Sequence, residues 1–289
     1  MKSFFMSKPK SSFIEHFSNS IKYNSDGIYY ADSSEIISYP DNGNVNCFEI
    51  EENSFWFRHR NNCIIKMIKN FHSSTDGPIF DVGGGNGFVA KGLLDAGLEV
   101  ALVEPGPTGA INAKKRGVAH VICATTHTAQ FKAGTIPAIG VFDVVEHIED
   151  DIGFLKHLWE LLVPGGMLYL TVPAYQFLWS QEDVEGGHFR RYTLSNLKKK
   201  MRHSGFDISY SSYIFSYLPI PIFLLRTLLN KLNLVESCAS DSIKQDHSSP
   251  KGIGSKILNL FHNWELLKIR ARKRIPLGGS CMVAAKKSD

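Results

Sequence analysis

One glycine-rich segment constrains the fold of this chain more than any other feature. It runs from Phe80 to Phe88, reads Phe-Asp-Val-Gly-Gly-Gly-Asn-Gly-Phe, and begins at the end of an apolar run that is typical of a buried strand. A helical pattern follows it, with Val89, Leu93 and Ala96 on one face. Glycines permit positive φ and let a ligand approach the backbone, while the first turn of a helix offers free N–H groups. The segment therefore predicts a strand, a turn and a helix that together bind a nucleotide-like ligand.

Short apolar runs alternate with amphipathic segments along most of the chain, which is typical of an α/β domain with a doubly wound sheet. The predicted strands are 78–82, 100–104, 120–123, 139–143, 167–172, a strand near 206–215, and a last strand at 280–285. The predicted helices are one that begins at Phe55, one that begins at Asp150 or Asp151 and is stopped by the Pro-Gly-Gly at 164–166, one at 194–203, and one near 257–272. Residues 1 to about 50 lack a sustained period and predict an irregular arm with a short helix near 13–21.

Composition excludes several classes of protein. The chain has 289 residues, of which 43% are hydrophobic and 21% charged, so disorder and collagen-like structure are excluded. The net charge of +4 is too small to indicate a nucleic-acid partner. The five cysteines are scattered without a Cys-x-x-Cys pair, so we expect neither a disulfide framework nor a metal site. This cysteine pattern, together with the lack of a signal-peptide or membrane-spanning stretch, predicts a cytoplasmic protein.

Two ligand classes are compatible with the glycine turn: a dinucleotide and S-adenosylmethionine. Glu104 ends the second strand, 23 residues after Asp81, a place from which a carboxylate accepts both hydroxyls of a ribose. A dinucleotide fingerprint requires a small residue where this chain has Phe88, and no phosphate-binding lysine of the P-loop type follows the turn. These features favour S-adenosylmethionine over a dinucleotide, and an oxidoreductase is the more distant alternative.

Four motifs together resemble a known family. They are Asp-Val-Gly-Gly-Gly-Asn-Gly at 81–87, Glu104 at the end of the second strand, Phe-Asp-Val-Val-Glu-His-Ile-Glu-Asp at 142–150, and Val-Pro-Gly-Gly at 163–166. In this order they resemble class I S-adenosylmethionine-dependent methyltransferases over about residues 55–215 and 276–289. The resemblance implies an α/β fold with a seven-stranded, mostly parallel, Rossmann-like sheet and an antiparallel last strand. It also predicts the domain organisation: an arm at 1–54, a methyltransferase core at 55–216, a helical insertion or cap at 217–275, and the last strand of the core at 276–289.

The resemblance also implies roles for individual residues around S-adenosylmethionine. Asp81, Gly83, Gly85 and Asn86 belong to the motif that lines the amino-acid moiety. The other implied contacts are Glu104 for the ribose, Pro105 beside the adenine, Phe142 and Asp143 beside the methionine part and the methyl group, and Arg58 or Arg60 for the cofactor carboxylate. Many members place an acidic residue after the third strand to bind the adenine amino group. Here the aligned residues are Cys-Ala-Thr-Thr at 123–126, so Thr125 or a backbone group is expected to replace it.

Methyl transfer from a sulfonium is an in-line displacement in which positioning supplies most of the acceleration. An acceptor hydroxyl also requires a base, and histidine suits that role at neutral pH. The candidates are His147, which follows the fourth strand, and His188, in a loop after the fifth strand. The polar residues around His188 are equally consistent with a loop that ion pairs hold together, and His147 with a residue that orders its own loop.

The apolar stretch at 213–229 lies between the sixth and seventh strands, and a basic segment follows at 268–274. Three interpretations are open: a buried lid, an apolar wall for the substrate, or a peripheral membrane contact.

The motifs and the family resemblance together predict an S-adenosylmethionine-dependent methyltransferase of a small, partly apolar acceptor, with O-methylation favoured over N- or C-methylation. The alternative is an S-adenosylmethionine-binding protein that has lost catalysis and acts in regulation or assembly.

Overall fold

Nine strands form one sheet in the computed structural model, which describes residues 12–33, 48, 50–72, 77–219 and 253–288. In chain order they are β1 Ile21–Tyr23, β2 Tyr29–Ala31, β3 Ile79–Val82, β4 Val100–Val103, β5 His120–Cys123, β6 Ile136–Phe142, β7 Leu162–Pro173, β8 Phe206–Ile214 and β9 Ser280–Lys287. Their order across the sheet is β1-β2-β5-β4-β3-β6-β7-β9-β8.

The central strands are parallel, from β2 through β5, β4, β3 and β6 to β7. The last strand, β9, lies antiparallel between β7 and β8. The strand order runs in opposite directions from β3, through β4 to β5 on one side and through β6 to β7 on the other. In sheets of this kind a ligand cleft opens at the carboxyl ends of the strands where the order reverses. The predicted doubly wound α/β fold is therefore confirmed, and the expected site lies beyond the ends of β3 and β6.

Two strands enlarge the expected seven-stranded sheet. The antiparallel pair β1 and β2 extends the edge beside β5, where β2 runs parallel to it. The Phe17 ring contacts the Phe80 ring of β3 with centroids 4.8 Å apart, and the Ser18 hydroxyl donates to the Ala129 carbonyl at 2.6 Å. Strands of three residues are too short for alternation to be recognised, so the sequence predicted only an irregular arm here.

Helices cover both faces of the sheet. They are α1 Ser12–Glu15, α2 Phe55–Phe71, α3 Phe88–Asp95, α4 Pro107–Lys115, α5 Asp151–Leu161, α6 Gln181–Glu185, α7 Leu194–His203 and α8 Ile253–Arg270. Three of these helices have an N-cap side chain that accepts a backbone hydrogen bond. Ser54 accepts from two N–H groups of α2, Asp150 from the Gly153 N–H of α5, and Thr193 from the Asn196 N–H of α7. Asp150 is thus the N-cap of α5.

The buried apolar side chains form two layers, one on each face of the sheet. One layer takes residues from α2, α3, α4 and α8, and the other from α1, α5 and α7. Strands buried on both faces read as continuous apolar runs, which is why the sequence revealed most of them. Among the helices that the structure describes, none combines the length and the apolarity of a membrane span.

Candidate functional site

The turn between β3 and α3 carries three glycines in the left-handed region. Gly83, Gly85 and Gly87 have φ of 69°, 52° and 75°. A Cβ at Gly83 would lie 2.6 Å from Cγ2 of Val144, which follows β6. The ends of β3 and β6 therefore meet across this glycine, and any side chain at position 83 would carry both backbone strain and a steric clash.

Asp81, at the end of β3, is a buried carboxylate with one unused oxygen. It is 1% exposed, and it accepts a hydrogen bond from the backbone N–H of Ala90 in the first turn of α3. That bond supplies the cap that Gly87, at the N-cap position of α3, lacks. Oδ2 has no hydrogen-bond partner among the described residues. Burial raises the pKa of Asp81 to about 7; the Arg60 charge opposes this rise, and the smaller effect of the Glu104 charge adds to it. An ammonium group is the kind of donor that this oxygen lacks.

Glu104 directly follows β4 and is fixed by the backbone around it. Its Oε2 accepts from the Gly85 N–H at 2.9 Å and its Oε1 from the Gly106 N–H at 2.8 Å. Burial raises the pKa of this carboxyl, and the two N–H groups lower it. Each carboxylate oxygen has a second lone pair, so both hydroxyls of a ribose can still bind here. One of the two N–H groups that hold the carboxylate, that of Gly85, belongs to the glycine turn.

Arg60 of α2 reaches the end of β6. Its guanidinium is paired with the carboxylate of Asp143 and lies over the Trp56 ring, 4.9 Å from the centroid. Asp143 has φ of 57° and accepts the Thr171 hydroxyl of β7 at 2.9 Å. The structure thus brings Arg60, which the sequence assigned to the cofactor carboxylate, together with Asp143, which it assigned to the methyl group.

Asn86 has its side chain turned toward α4. Its Oδ1 accepts from Asn112 at 2.9 Å, and its backbone carbonyl accepts from Arg116 at 3.0 Å. Arg116 is also paired with Glu51, just before α2. This cluster holds the entry to α2 against the glycine turn. The sequence missed Glu51 and Arg116, because a pair 65 residues apart leaves no local signal.

Three other predicted cofactor contacts lie at the same edge of the sheet. The Thr125 hydroxyl accepts from the backbone N–H of Thr128 at 3.0 Å and so helps to form the loop after β5. The Phe142 ring is folded back over Gly140, where an added Cβ would lie 2.5 Å from it. Pro105 lies between Glu104 and the N-cap of α4.

His188 is held by a buried carboxylate. Its Nδ1 lies 2.8 Å from Oδ1 of Asp183, which is fully buried and also accepts from Arg191 Nε at 2.7 Å and the Ser180 N–H at 2.7 Å. Burial raises the pKa of Asp183, but the hydrogen bonds from His188 and Arg191 outweigh it and the net shift is downward. An ionised carboxylate only accepts, so Nδ1 carries a proton in this pair and Nε2 is the basic nitrogen of neutral His188.

His147 and Glu146 face the same loop. The rings of His147 and His188 meet edge to face with centroids 4.6 Å apart, and the Glu146 carbonyl accepts from the Phe189 N–H at 2.8 Å. Burial and the neighbouring His188 lower the pKa of His147 to about 4, so it is neutral at pH 7. Burial and Asp143 raise the pKa of Glu146 well above its usual range. The sequence missed Glu146 as a site residue because its burial depends on the folded loop.

Two groups of side chains among the described residues have the composition of metal ligands. The ligand atoms within each group lie within 4.8 Å of one another, in Glu146, His147 and His188 and in His59, Cys63 and Glu265. In the second group, Glu265 already accepts hydrogen bonds from His59, Phe215 and Ser216. The first group lies at the edge where β6 ends, where it could hold a cation as well as a proton.

The arrangement at this edge agrees with comparisons to known proteins. A family model described as a methyltransferase domain matches residues 56–211, which is more than half of the chain. The chain therefore belongs to the methyltransferase-domain family, and its fold and motifs place it in class I, whose cofactor is S-adenosylmethionine.

Individual relatives are distant. The chain is 31% identical over 96 residues to a ubiquinone biosynthesis O-methyltransferase from Methylocella silvestris, a match that covers 32% of this chain and 38% of that enzyme. Phosphoethanolamine N-methyltransferase 2 of Haemonchus contortus, solved with S-adenosyl-L-methionine, superposes with a TM-score of 0.54 at 18% identity. That match covers 87% of this chain and 58% of the other. A chain of the complex between the Haloferax volcanii Trm112 methyltransferase activator and a methyltransferase superposes with a TM-score of 0.58 at 12% identity, over 88% and 98% of the two chains. The chain thus spans well under two thirds of its curated relative.

Proposed function

We propose that this protein transfers a methyl group from S-adenosylmethionine to a small, partly apolar acceptor, and that an oxygen acceptor is favoured over nitrogen or carbon. The observation that carries the proposal is the pair of His188 and Asp183, whose loop packs against the segment after β6. A hydroxyl substrate requires a proton acceptor at that edge. An in-line transfer to an amine that is already unprotonated does not require one.

The residues around β3 and β4 suit the cofactor. S-adenosylmethionine supplies an electrophilic methyl group on a sulfonium. We assign the unused oxygen of Asp81 to the cofactor ammonium and the two oxygens of Glu104 to its ribose. Arg60 is the candidate for the cofactor carboxylate, and its present partner Asp143 would then face the cationic sulfonium end. The acidic side chains balance the positive charge of the donor.

With the cofactor bound, Nε2 of His188 would accept the proton of the acceptor hydroxyl while the hydroxyl oxygen bonds to the methyl carbon and the methyl–sulfur bond breaks, which would release S-adenosylhomocysteine. Asp183 stabilises the imidazolium that forms, because its carboxylate already accepts the Nδ1 proton. Arg191 keeps Asp183 ionised and in place. This is the arrangement of a base whose orientation is fixed by a second group.

Aromatic side chains near this loop support a partly apolar acceptor. Phe177 is 60% exposed and Phe189 is 45% exposed, and the Phe177 ring stacks on Tyr175 with centroids 5.2 Å apart. Exposed aromatics beside polar groups are typical of a surface that binds a ligand. The O-methyltransferase name of the Methylocella silvestris relative agrees with the choice of oxygen.

The test uses isotopically labelled S-adenosylmethionine with a panel of phenols, carboxylic acids and amines. With a hydroxyl acceptor, we expect His188→Gln to lower kcat at least about a hundredfold, as removal of a general base does, while the Kd for the cofactor stays unchanged. Asp183→Asn should also lower kcat strongly, because the new amide can donate to Nδ1 and so leave the proton on Nε2. The exposed histidine at the end of α7 provides the matched control, His203→Gln, which should retain full activity.

Two results would contradict the proposal. Full activity of His188→Gln would show that this histidine is not the base. Tight cofactor binding without methylation of any acceptor on the panel would favour the alternative of a regulatory or assembly protein.

A further inference from the structure

Helix α8 has a buried face and an exposed apolar face, and among the described residues only the buried face packs on the core. The buried face includes Glu265 and Ile269, both 0% exposed. The other face, which we call the α8 stripe, has large apolar side chains that are 41% to 69% exposed. The α8 stripe consists of Ile257, Leu260, Phe261, Trp264 and Leu267.

The spacing of the α8 stripe makes it continuous. Its residues follow at i, i+3, i+4, i+7 and i+10, which at 100° per residue keeps them within an arc of about 120°. A helix with a single apolar face can bury all of that face against the core. An exposed second stripe of this size indicates a surface that contacts another apolar phase.

Positive charge lies at both ends of the α8 stripe, and most of it at the carboxyl end. Residues 253–274 contain six basic residues and a single acidic one, Glu265, whose carboxylate is turned inward to α2 and the end of β8. Five of the six basic residues are exposed, and the sixth, Lys268, lies 5.4 Å from the centroid of the Trp264 ring. The six are Lys256, Lys268, Arg270, Arg272, Lys273 and Arg274.

We propose that the α8 stripe and its basic residues bind the surface of an anionic phospholipid bilayer. An amphipathic helix with basic residues beside its apolar face lies in the interface, with its apolar side chains among the acyl chains and its cations at the headgroups. The tryptophan in the stripe has the amphipathic ring that is enriched at such interfaces. A polyanion such as nucleic acid would match the charge but leave five apolar side chains in water.

The charge also argues against a second copy of the chain as the partner. A two-fold dimer places the same patch on both sides of the interface. Two α8 stripes in contact would bring two sets of six cations together with no exposed carboxylate of either segment to neutralise them. An anionic bilayer instead neutralises the cations and takes up the apolar side chains.

The experiment measures partition of the full chain onto vesicles in a flotation assay, without cofactor or acceptor, so its outcome does not depend on methyl transfer. One set of vesicles is pure phosphatidylcholine and the other contains roughly one third phosphatidylglycerol, which carries the charge that attracts basic segments. We expect binding to the anionic vesicles only, and weaker binding at higher salt because screening shortens the range of the attraction.

Two double variants separate the apolar and the charge contributions. Leu260→Ser with Leu267→Ser should weaken partition at least about tenfold, because both side chains lose their transfer into an apolar phase. Arg270→Glu with Lys273→Glu should weaken it at least about tenfold on anionic vesicles. All four side chains are exposed, and circular dichroism checks that the fold is retained. The control is Ile111→Ser, an apolar side chain 42% exposed on α4, which should bind as the original chain does.

Three results would overturn the proposal. They are equal binding to neutral and anionic vesicles, no binding to either, and a dimer in light scattering that the Leu260→Ser, Leu267→Ser variant dissociates. The last would assign the α8 stripe to a second copy of the chain.

Discussion

At the scale of single residues, the site depends on acids whose charge is set by burial. Asp81 and Glu146 both have raised pKa values with burial as the largest cause, while Asp183 is held ionised by its hydrogen bonds in spite of burial. Groups whose environments move their pKa values apart are typical of functional sites. An ionised Asp183 and a neutral His147, each in contact with His188, are the pattern that a proton acceptor at His188 needs.

Asp81 makes a prediction about stability. Its pKa is about 7 in the folded chain and about 3.9 in an unfolded one, so the folded chain keeps a proton that the unfolded chain releases. The contribution of Asp81 to the free energy of unfolding should therefore fall as pH rises from about 4 to 7 and level off above pH 7. Asp81→Asn removes this titration but keeps an oxygen that can accept from Ala90. Urea denaturation should show the variant gaining stability relative to the original chain across that interval.

The comparison is made between the two proteins at each pH, so groups that titrate in both largely cancel. A difference in unfolding free energy that stays constant from pH 4 to 8 would contradict the assignment of a proton to Asp81.

At the scale of elements, the sequence predicted the pieces that carry repeating signals. The bounds of β5 and α7 agree residue for residue with the prediction, and β9 occupies the antiparallel position that the family resemblance implied. Strand β7 begins at Leu162 rather than Met167, because Leu162 already pairs with Ile136 of β6, and regular pairing resumes at Met167 after an irregularity that contains the Pro-Gly-Gly at 164–166. Single sequences do not show such irregular pairing.

The candidate site was predicted unevenly for a related reason. Asp81, Glu104 and the glycines form local motifs, so one sequence suffices to find them. The contact between Asp183 and His188 depends on the conformation of their loop. The sequence was equally consistent with a catalytic histidine and with a loop that ion pairs hold together, so it could not single out this contact. The segment 220–229, within the apolar stretch interpreted as a lid, a substrate wall or a membrane contact, lies outside the described residues. The position of α8 beside α2, through Glu265, was not predictable, because it joins residues about two hundred positions apart.

Glu265 gives a prediction about the attachment of α8. This fully buried carboxylate accepts from His59 at 2.8 Å, from the Phe215 N–H at 3.0 Å and from the N–H and hydroxyl of Ser216 at 2.6 Å. Glu265→Ala leaves these donors unpaired and should lower the unfolding free energy by about 3 kcal/mol or more, as loss of a buried charged partner does. Glu265→Gln keeps one acceptor oxygen and should cost less.

Urea denaturation provides the measurement, with the exposed Glu149→Ala as a control expected to stay within about 0.5 kcal/mol of the original chain. If Glu265→Ala is as stable as the control, the hydrogen bonds to Glu265 do not hold α8 in place.

At the scale of the whole molecule, one sheet edge joins the functional features. The ends of β3, β4 and β6 carry Asp81, Glu104 and Asp143, and the loop after β7 brings His188 to the same edge. This is the edge where the strand order reverses, where α/β sheets bind their ligands. The acidic site suits a cationic donor, while the cations of the basic segment lie away from it on α8 and its carboxyl end.

Isothermal titration calorimetry with two matched glycine variants tests whether the glycine turn holds S-adenosylmethionine. Gly83 and Gly97 both have positive φ, 69° and 83°, but an added Cβ meets Val144 at 2.6 Å in the first and nothing within 4 Å in the second. Backbone strain of about 1 kcal/mol is therefore common to both alanine variants.

We predict that the original chain and Gly97→Ala bind the cofactor alike, and that Gly83→Ala loses binding. Glu104→Gln should weaken binding at least about tenfold, because the ribose hydroxyls lose a charged acceptor. Circular dichroism confirms that each variant is folded. The glycine turn does not hold the cofactor if the original chain fails to bind S-adenosylmethionine, or if Gly83→Ala and Glu104→Gln both bind it as tightly as Gly97→Ala does.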